Sequence, residues 1–329
     1  MTTLTNTTVA ASPATNSQSS PPRRRHVLDL DDFSRDEIIE ILETTASMKE
    51  VLSRPIKQVP ALRGTTVVNM FFEDSTRTRI SFELAAKALS ANVVAMTSKG
   101  SSVEKGESLI DTVRTLQALG ANIIVMRHGE SGAPYLVAQH FHGSVLNAGD
   151  GRHAHPTQAL LDLFTINERL GRVEGLKVVI VGDIVHSRVA RSNLWGLTAM
   201  GAQVTLCAPP TLLGPAALWT ATWPNVTISH SLDACVAGAD VIMTLRLQKE
   251  RQEAGLLPSL REYSRVFGVN AARVKRAAPH CLVMHPGPMN EGVEIMPDVA
   301  TSRQSVIETQ VTNGVAVRMA LMYRLAEVS

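Results

Sequence analysis

A chain of 329 residues, 44% hydrophobic and 19% charged, is long enough for about two domains with sizeable cores. Its 32 Lys and Arg against 30 Asp and Glu leave a formal net charge of +2, which excludes a general attraction to nucleic acid or to an anionic membrane. Any anion the protein binds must therefore be held by cations placed locally. No apolar run approaches the roughly 18 residues that would span a bilayer. The three cysteines, Cys207, Cys235 and Cys281, show no C-x-x-C spacing and read as core thiols of a reducing, cytoplasmic setting.

Residues 1–24 are rich in Thr, Ser, Ala and Asn and run into Pro21-Pro22-Arg23-Arg24-Arg25, with no acid before Asp29. The apolar core of a secretory signal is missing. An acid-free, hydroxyl-rich start also fits an organellar transit peptide, but no amphipathic helical pattern is visible, and a disordered tail is expected. From His26 the pattern changes. Leu28, Leu30, Phe33, Ile38, Ile39, Ile41 and Leu42 fall mainly at helical spacing, with Ser34 placed to cap.

Strands and helices then alternate. Thr65 to Phe72 reads as a strand that leads through Ser75-Thr76-Arg77-Thr78-Arg79 into a helix over Ile80 to Leu89. Strands are expected at Asn92 to Met96, Asn122 to Met126 and Val145 to Asn147. Pro156 opens a strong helix that ends near Gly171. A second series follows, with strands at Lys177 to Val181, Gln203 to Cys207, Val226 to Ser229, Val241 to Leu245 and Leu282 to Met284. A closing helix is clearest over Val315 to Leu325. Such alternation implies parallel sheets covered by helices on both faces. Two series joined by a long helix imply two Rossmann-like α/β domains with a cleft between them. The expected division is a first domain over 25–156 that takes back the C-terminal helix 307–329, and a second over 157–306.

Ligands in this architecture bind where loops leave the carboxyl ends of strands. Ser75-Thr76-Arg77-Thr78-Arg79 stands at such a place and at a helix start, where unpaired N–H groups and partial positive charge favour phosphate. Capping by Ser75 would explain one hydroxyl, not five polar residues in succession. Arg127 and His128 follow the next-but-one strand, a weak signal taken alone. His155-Pro156-Thr157-Gln158 starts a further helix, so that the imidazole can donate to a developing oxyanion with Gln158 nearby on the same helix. His153-Ala154-His155 has the spacing of a metal pair but no companion ligands, and no metal is expected. His153 then reads as a structural histidine.

In the second series, Val181-Gly182-Asp183-Ile184-Val185-His186-Ser187-Arg188 lies at a strand-to-helix turn without the G-x-G-x-x-G of a dinucleotide site. Arg246-Leu247-Gln248-Lys249-Glu250-Arg251 follows another strand. Charge runs are usually solvated, yet Arg188 and Arg246 are suited to two carboxylates. His285-Pro286-Gly287-Pro288 ends a strand, where prolines fix backbone carbonyls toward a ligand. Ser101-Ser102-Val103-Glu104-Lys105 reads on local grounds as well as a solvated loop as it does as a source of one mobile cation.

Together these segments resemble the aspartate and ornithine transcarbamoylases from about His26 to Arg324, with Ser75 to Arg79 similar to the family's carbamoyl phosphate motif and His155 to Gln158 similar to its second. The resemblance implies carbamoyl transfer from carbamoyl phosphate without a cofactor, in a homotrimer with shared active sites. Arg246-x-Gln248-x-x-Arg251 resembles the carboxylate-binding segment of the aspartate branch, and the ornithine branch's Asp-x-x-x-Ser-Met-Gly segment and His-Cys-Leu-Pro motif are not present, so L-aspartate is the implied acceptor. Ornithine as acceptor, or a catalytically silent scaffold, are the rival readings.

By resemblance, Ser75, Thr76, Arg77 and Thr78 bind phosphate, and Thr78, Arg127 and His155 hold the carbonyl oxygen. Gln158 and the turn Pro286-Gly287-Pro288 take the carbamoyl NH2. Arg188, Arg246 and Gln248 take aspartate, and Ser101 and Lys105 reach in from a neighbouring subunit. Glu73 is expected to pair with Arg188 and Arg251 when the domains close. Glu291 departs from an Arg common in bacterial relatives, which leaves the local ion pairing open. The tail resembles those of longer catalytic chains that assemble with dihydroorotase or an inactive relative of it.

Overall fold

The computed structural model describes residues 24–97, 107–248, 256–257 and 259–327. Two parallel sheets form from separate stretches of the chain. The first joins β1 (Thr66–Phe71), β2 (Asn92–Thr97), β3 (Ile123–His128) and β4 (Ser144–Asp150) in the order β2-β1-β3-β4. The second joins β5 (Lys177–Val181), β6 (Gln203–Cys207), β7 (Thr227–Ser229), β8 (Val241–Thr244) and β9 (Leu282–Met284) in the order β7-β6-β5-β8-β9. In each sheet the strand order reverses beside the first strand, at β1/β3 and at β5/β8. Those are the points where parallel sheets open a crevice for ligand.

Side chains of the first sheet alternate between two cores with the period of a strand. Val67, Phe71, Ile123, Val125, Leu146 and Ala148 join the large core, and Val68, Met70, Ile124, Met126 and Val145 join a smaller one. Burial on both faces is why these strands read as continuous apolar runs. The smaller core is closed by α3 (Leu109–Ala118) and α4 (Ala133–His140) through Val113 and Val137. The large core runs on through α1 (Arg35–Ser53), α2 (Thr76–Ala88), α5 (Pro156–Leu170), α6 (Arg188–Ala199) and the C-terminal helix Ile307–Ala326 into the second sheet.

Local signals set the helix ends. Ser34 accepts from the Glu37 N–H at 3.2 Å while the Glu37 carboxylate accepts from the Ser34 N–H at 2.9 Å, a reciprocal cap for α1. Pro156 opens α5, and Gly171, at φ 73°, stops it. From Pro156 to Ile166 every residue of α5 is buried, so this helix has no solvent face in that stretch.

The structure adds elements to the expected series. α3, α4 and the helix Leu260–Phe267 fill stretches left unassigned, β4 continues to Asp150, and the C-terminal helix begins at Ile307. Its first turns carry β-branched Thr309, Val311 and Thr312, poor helix formers that are held by burial of Gln310 and Asn313.

Candidate active site

At the end of β1 the chain passes through Glu73 to Ser75, the N-cap residue of α2. The Ser75 hydroxyl makes no bond to a first-turn N–H; it donates to Thr78 Oγ1 at 2.9 Å. No acid lies in that first turn. The helix N-terminus therefore keeps open donors and uncompensated positive charge, which is what an anion requires. Arg77 stands beside it under the 286–288 turn. Gly287 has φ +64°, and a Cβ there would fall 2.9 Å from the Arg77 guanidinium carbon. Only glycine lets that turn close over the cation.

Two further guanidiniums meet at Glu73. Arg127 is the penultimate residue of β3 and Arg188 opens α6, both more than nine-tenths buried. Glu73 Oε1 accepts from Arg127 Nη2 at 2.6 Å and from Arg188 Nη2 at 2.6 Å, and Oε2 accepts from Arg188 Nη1 at 2.9 Å. Arg127 also donates to the Ala148 carbonyl and Arg188 to that of Gly151. A forked contact of this kind is how arginine takes a carboxylate. The expected Glu73–Arg188 pair is present and Arg127 joins it, while Arg251 lies outside the described residues. Register explains the Arg127 contact: Phe71 of β1 lies opposite Arg127 of β3, two residues before Glu73.

His155 precedes α5. Its N–H donates to Ser192 Oγ at 2.9 Å, and that hydroxyl donates to Asp29 Oδ1 at 3.0 Å. Burial first, and then the charges of Arg127, Arg188 and Arg318, hold its pKa well below the ordinary 6.5. The ring is a neutral donor among cations. As pH falls below 6.5 the unfolded chain takes up a proton that folded His155 refuses, so this residue lowers stability on acidification. Buried Asp29 and Asp162, raised to about 6 chiefly by burial, act in the opposite sense between that value and their unfolded 3.8. Chemical denaturation of His155→Asn is therefore expected to gain on wild type as pH falls from about 8 to about 5. An unchanged difference would show that the ring charges in the folded state.

The elements converge on a cavity of about 150 Å³ between the two sheets. From the first sheet's side come Ser75, Arg77, Thr78, Arg127, His155 and Gln158; from the second come Arg188, Arg246, Gln248, Pro286, Gly287 and Pro288. Thr76 occupies the first position of α2 but is not part of the lining. Ser101, Lys105 and Arg251 lie outside the described residues. The Gln248 N–H approaches Asp183 Oδ2, and Asp183 also holds His186 Nδ1 at 2.7 Å, which ties this strand end to the β5 turn. His153 is turned away and set against Asp150 at 3.1 Å, with Tyr135 edge-on to its ring.

Sequence reasoning missed Arg318 and Gln310, two buried residues of the C-terminal helix that also line the cavity. Arg318 donates to the Gly314 carbonyl at 2.8 Å and lies 4.7 Å over the Phe82 ring; burial lowers its pKa to about 10. The cavity is thus lined by five arginines. Burial lowers the pKa of Arg77, and the like charge of Arg246 adds to the effect. Cations held together against their repulsion are arranged for an anion with several charges.

Two family models match successive parts of the chain. Residues 25–168 match the carbamoyl-P binding domain of the aspartate/ornithine carbamoyltransferases, and residues 174–325 match their Asp/Orn binding domain. The aspartate carbamoyltransferase catalytic subunit of Roseiflexus sp. (strain RS-1) is 81% identical over 304 residues, which are 92% of this chain and 96% of the relative. That of Chloroflexus aurantiacus is 73% identical, over 92% and 98%. Among solved structures, aspartate transcarbamoylase from Trypanosoma cruzi with N-(phosphonacetyl)-L-aspartic acid superposes with a TM-score of 0.84 at 31% identity, over 92% of this chain and 95% of that one. The catalytic subunit from M. Jannaschii gives 0.81 at 36% identity, over 92% and 98%. In sequence, in its two-domain α/β fold and in the cleft between the sheets, the chain belongs to the aspartate/ornithine carbamoyltransferase family.

Proposed function

We propose that the protein transfers the carbamoyl group of carbamoyl phosphate to the amine of L-aspartate, giving N-carbamoyl-L-aspartate and phosphate, a step of de novo pyrimidine synthesis. The observation that carries this is the cleft with five arginines, one wall of which is a helix N-terminus with open donors. The catalytic-subunit relatives, and the Trypanosoma cruzi structure that holds carbamoyl phosphate and aspartate, support the substrates.

In this reading Ser75, Arg77, Thr78 and the Thr76 N–H hold phosphate, while Thr78, Arg127 and neutral His155 face the carbonyl oxygen. Gln158 and the carbonyls of the Pro286–Pro288 turn take the NH2. Arg188, Arg246 and Gln248 take the two carboxylates of aspartate. The amine lone pair attacks the carbamoyl carbon and forms the C–N bond, and charge moves onto the oxygen beside Arg127 and His155. That charge returns as the C–O bond to phosphate breaks, and the departing phosphate takes the proton from nitrogen. Glu73, now on Arg127 and Arg188, is displaced from at least one of them by substrate.

The working unit in this reading is a cytoplasmic homotrimer in which Ser101 and Lys105 of a neighbour complete each site. Exposed Ile80 and Leu84, one turn apart on α2, and Val94 on edge strand β2 support a subunit contact there. The first domain takes 25–156 with 307–329, the second 157–306. Assembly with dihydroorotase, suggested by the tail, is tested by the mass of the native particle. Ornithine is disfavoured because Arg188 and Arg246 would face its cationic side chain. A ureido-product assay with carbamoyl phosphate should respond to aspartate and not to ornithine; turnover of ornithine alone would sink the reading.

A further inference from the structure

Because α5 is buried all round beneath the cleft, its polar side chains must find partners inside the protein. Asp162, without exposed surface, receives side-chain amides from three helices. Gln158 Nε2 donates to Oδ1 at 3.0 Å and Gln310 Nε2 to the same oxygen at 2.7 Å, while Asn193 Nδ2 donates to Oδ2 at 2.9 Å. An ionised carboxylate only accepts, so each amide is turned with its NH2 inward. That decides which end is left over. Gln310 gives its oxygen to the His285 N–H at 3.0 Å, immediately before the 286–288 turn. Gln158 lines the cleft, and its carbonyl oxygen is the end it presents there.

We propose that Asp162 is a positioning residue that makes Gln158 an obligate hydrogen-bond acceptor, and so selects an acyl phosphate bearing NH2 over one bearing a methyl group. The proposal rests on Gln158 meeting the carbamoyl NH2. A glutamine held only by neighbours of its own kind can rotate its amide and offer either end. One held by a carboxylate cannot do so without setting two acceptors face to face. Carbamoyl phosphate then pairs with the presented oxygen, whereas acetyl phosphate, of similar shape, offers it no donor.

The charge on Asp162 is also exposed to pH. Burial raises its pKa to about 6 against the three amide donors and Arg318. Arg318 faces it from the C-terminal helix, α6 offers the neutral Asn193, and His155 of the α5 start stays uncharged. Below that value one acceptor becomes a donor and the hold on Gln158 loosens.

The test compares KM for carbamoyl phosphate with Ki for acetyl phosphate as a competitive inhibitor, in wild type, Asp162→Asn and Gln158→Leu. Asp162→Asn should raise KM roughly ten- to hundredfold while Ki moves by less than about twofold. In wild type the ratio of the two should rise as pH falls below about 6, since titration of the shared phosphate cancels. Equal weakening of both ligands in Asp162→Asn would mean general loosening and would overturn the proposal. So would a wild-type ratio that does not change with pH, a measurement that stands even if the variant does not fold. If Gln158→Leu leaves the ratio unchanged, the role given to Gln158 itself fails. If it changes the ratio and Asp162→Asn does not, only the positioning role fails.

Discussion

Arg77→Ala is expected to lower kcat by on the order of 10²–10³, with a smaller rise in KM for carbamoyl phosphate. In the proposed reading phosphate is held in the ground state by several groups, the open N–H donors of α2 and the hydroxyls of Ser75 and Thr78 among them. Charge on the leaving oxygen grows only as the C–O bond breaks, and the guanidinium beneath Gly287 is the cation nearest the helix start to meet it. Interactions that strengthen in the transition state appear in kcat and not in KM. Arg77→Lys should recover little of the loss, because an ammonium lacks the planar fork that meets two phosphate oxygens at once. Stopped single-turnover and steady-state assays at saturating aspartate separate the terms. Unchanged kcat with a raised KM would reduce Arg77 to a binding residue.

The second large effect belongs to Arg188. Arg188→Ala should lower kcat/KM for aspartate by about a hundredfold or more, consistent with a cost of roughly 2–5 kcal/mol for removing one member of a buried, forked charge pair. Here the truncation acts twice. In the proposed reading it removes a donor pair for a substrate carboxylate, and it takes from Glu73 the forked contact that now competes with Arg127 for this carboxylate. Glu73 would then settle more firmly on Arg127, the cation proposed to face the carbonyl oxygen. The variant should therefore lose some kcat as well, while its affinity for phosphate stays close to wild type. Adding Glu73→Gln to Arg188→Ala should restore part of kcat and none of the aspartate affinity. No restoration would show that Glu73 does not compete for Arg127.

The central strands could be read from the sequence because they are buried on both faces, which turns them into uninterrupted apolar runs such as Ile123 to Met126. The cations could be read because they follow those runs, at the ends where parallel sheets open. α3 was missed although its signal was present: Leu109, Val113 and Leu116 at helical spacing after Ser108, which caps the helix through the Asp111 N–H. The polar segment just before it masked that start. α4 is short and begins at Gly132 in the left-handed region, where glycine and proline together read as loop.

Asp162 and Arg318 were illegible for a different reason. A charged residue in a helix is ordinarily placed on the solvent side, and nothing local shows that α5 lacks such a side. Their partners, Gln310, Asn193 and Phe82, come from helices far away in the chain. Gln158 and Asp162 lie one turn apart on a helix that proves buried from Pro156 to Ile166. Buried polar groups on one face imply a network, and this one supports the cleft floor.

Calorimetric titration with phosphonacetyl-L-aspartate, which carries a phosphonate and an aspartate in one molecule, tests most directly whether a single cleft receives both substrates. One binding event per chain is expected, weakened by Arg77→Ala and by Arg188→Ala alike, with an affinity well above that for phosphate plus aspartate given separately. Binding that only one of the two substitutions weakens, or that gains nothing from joining the two groups, would contradict it.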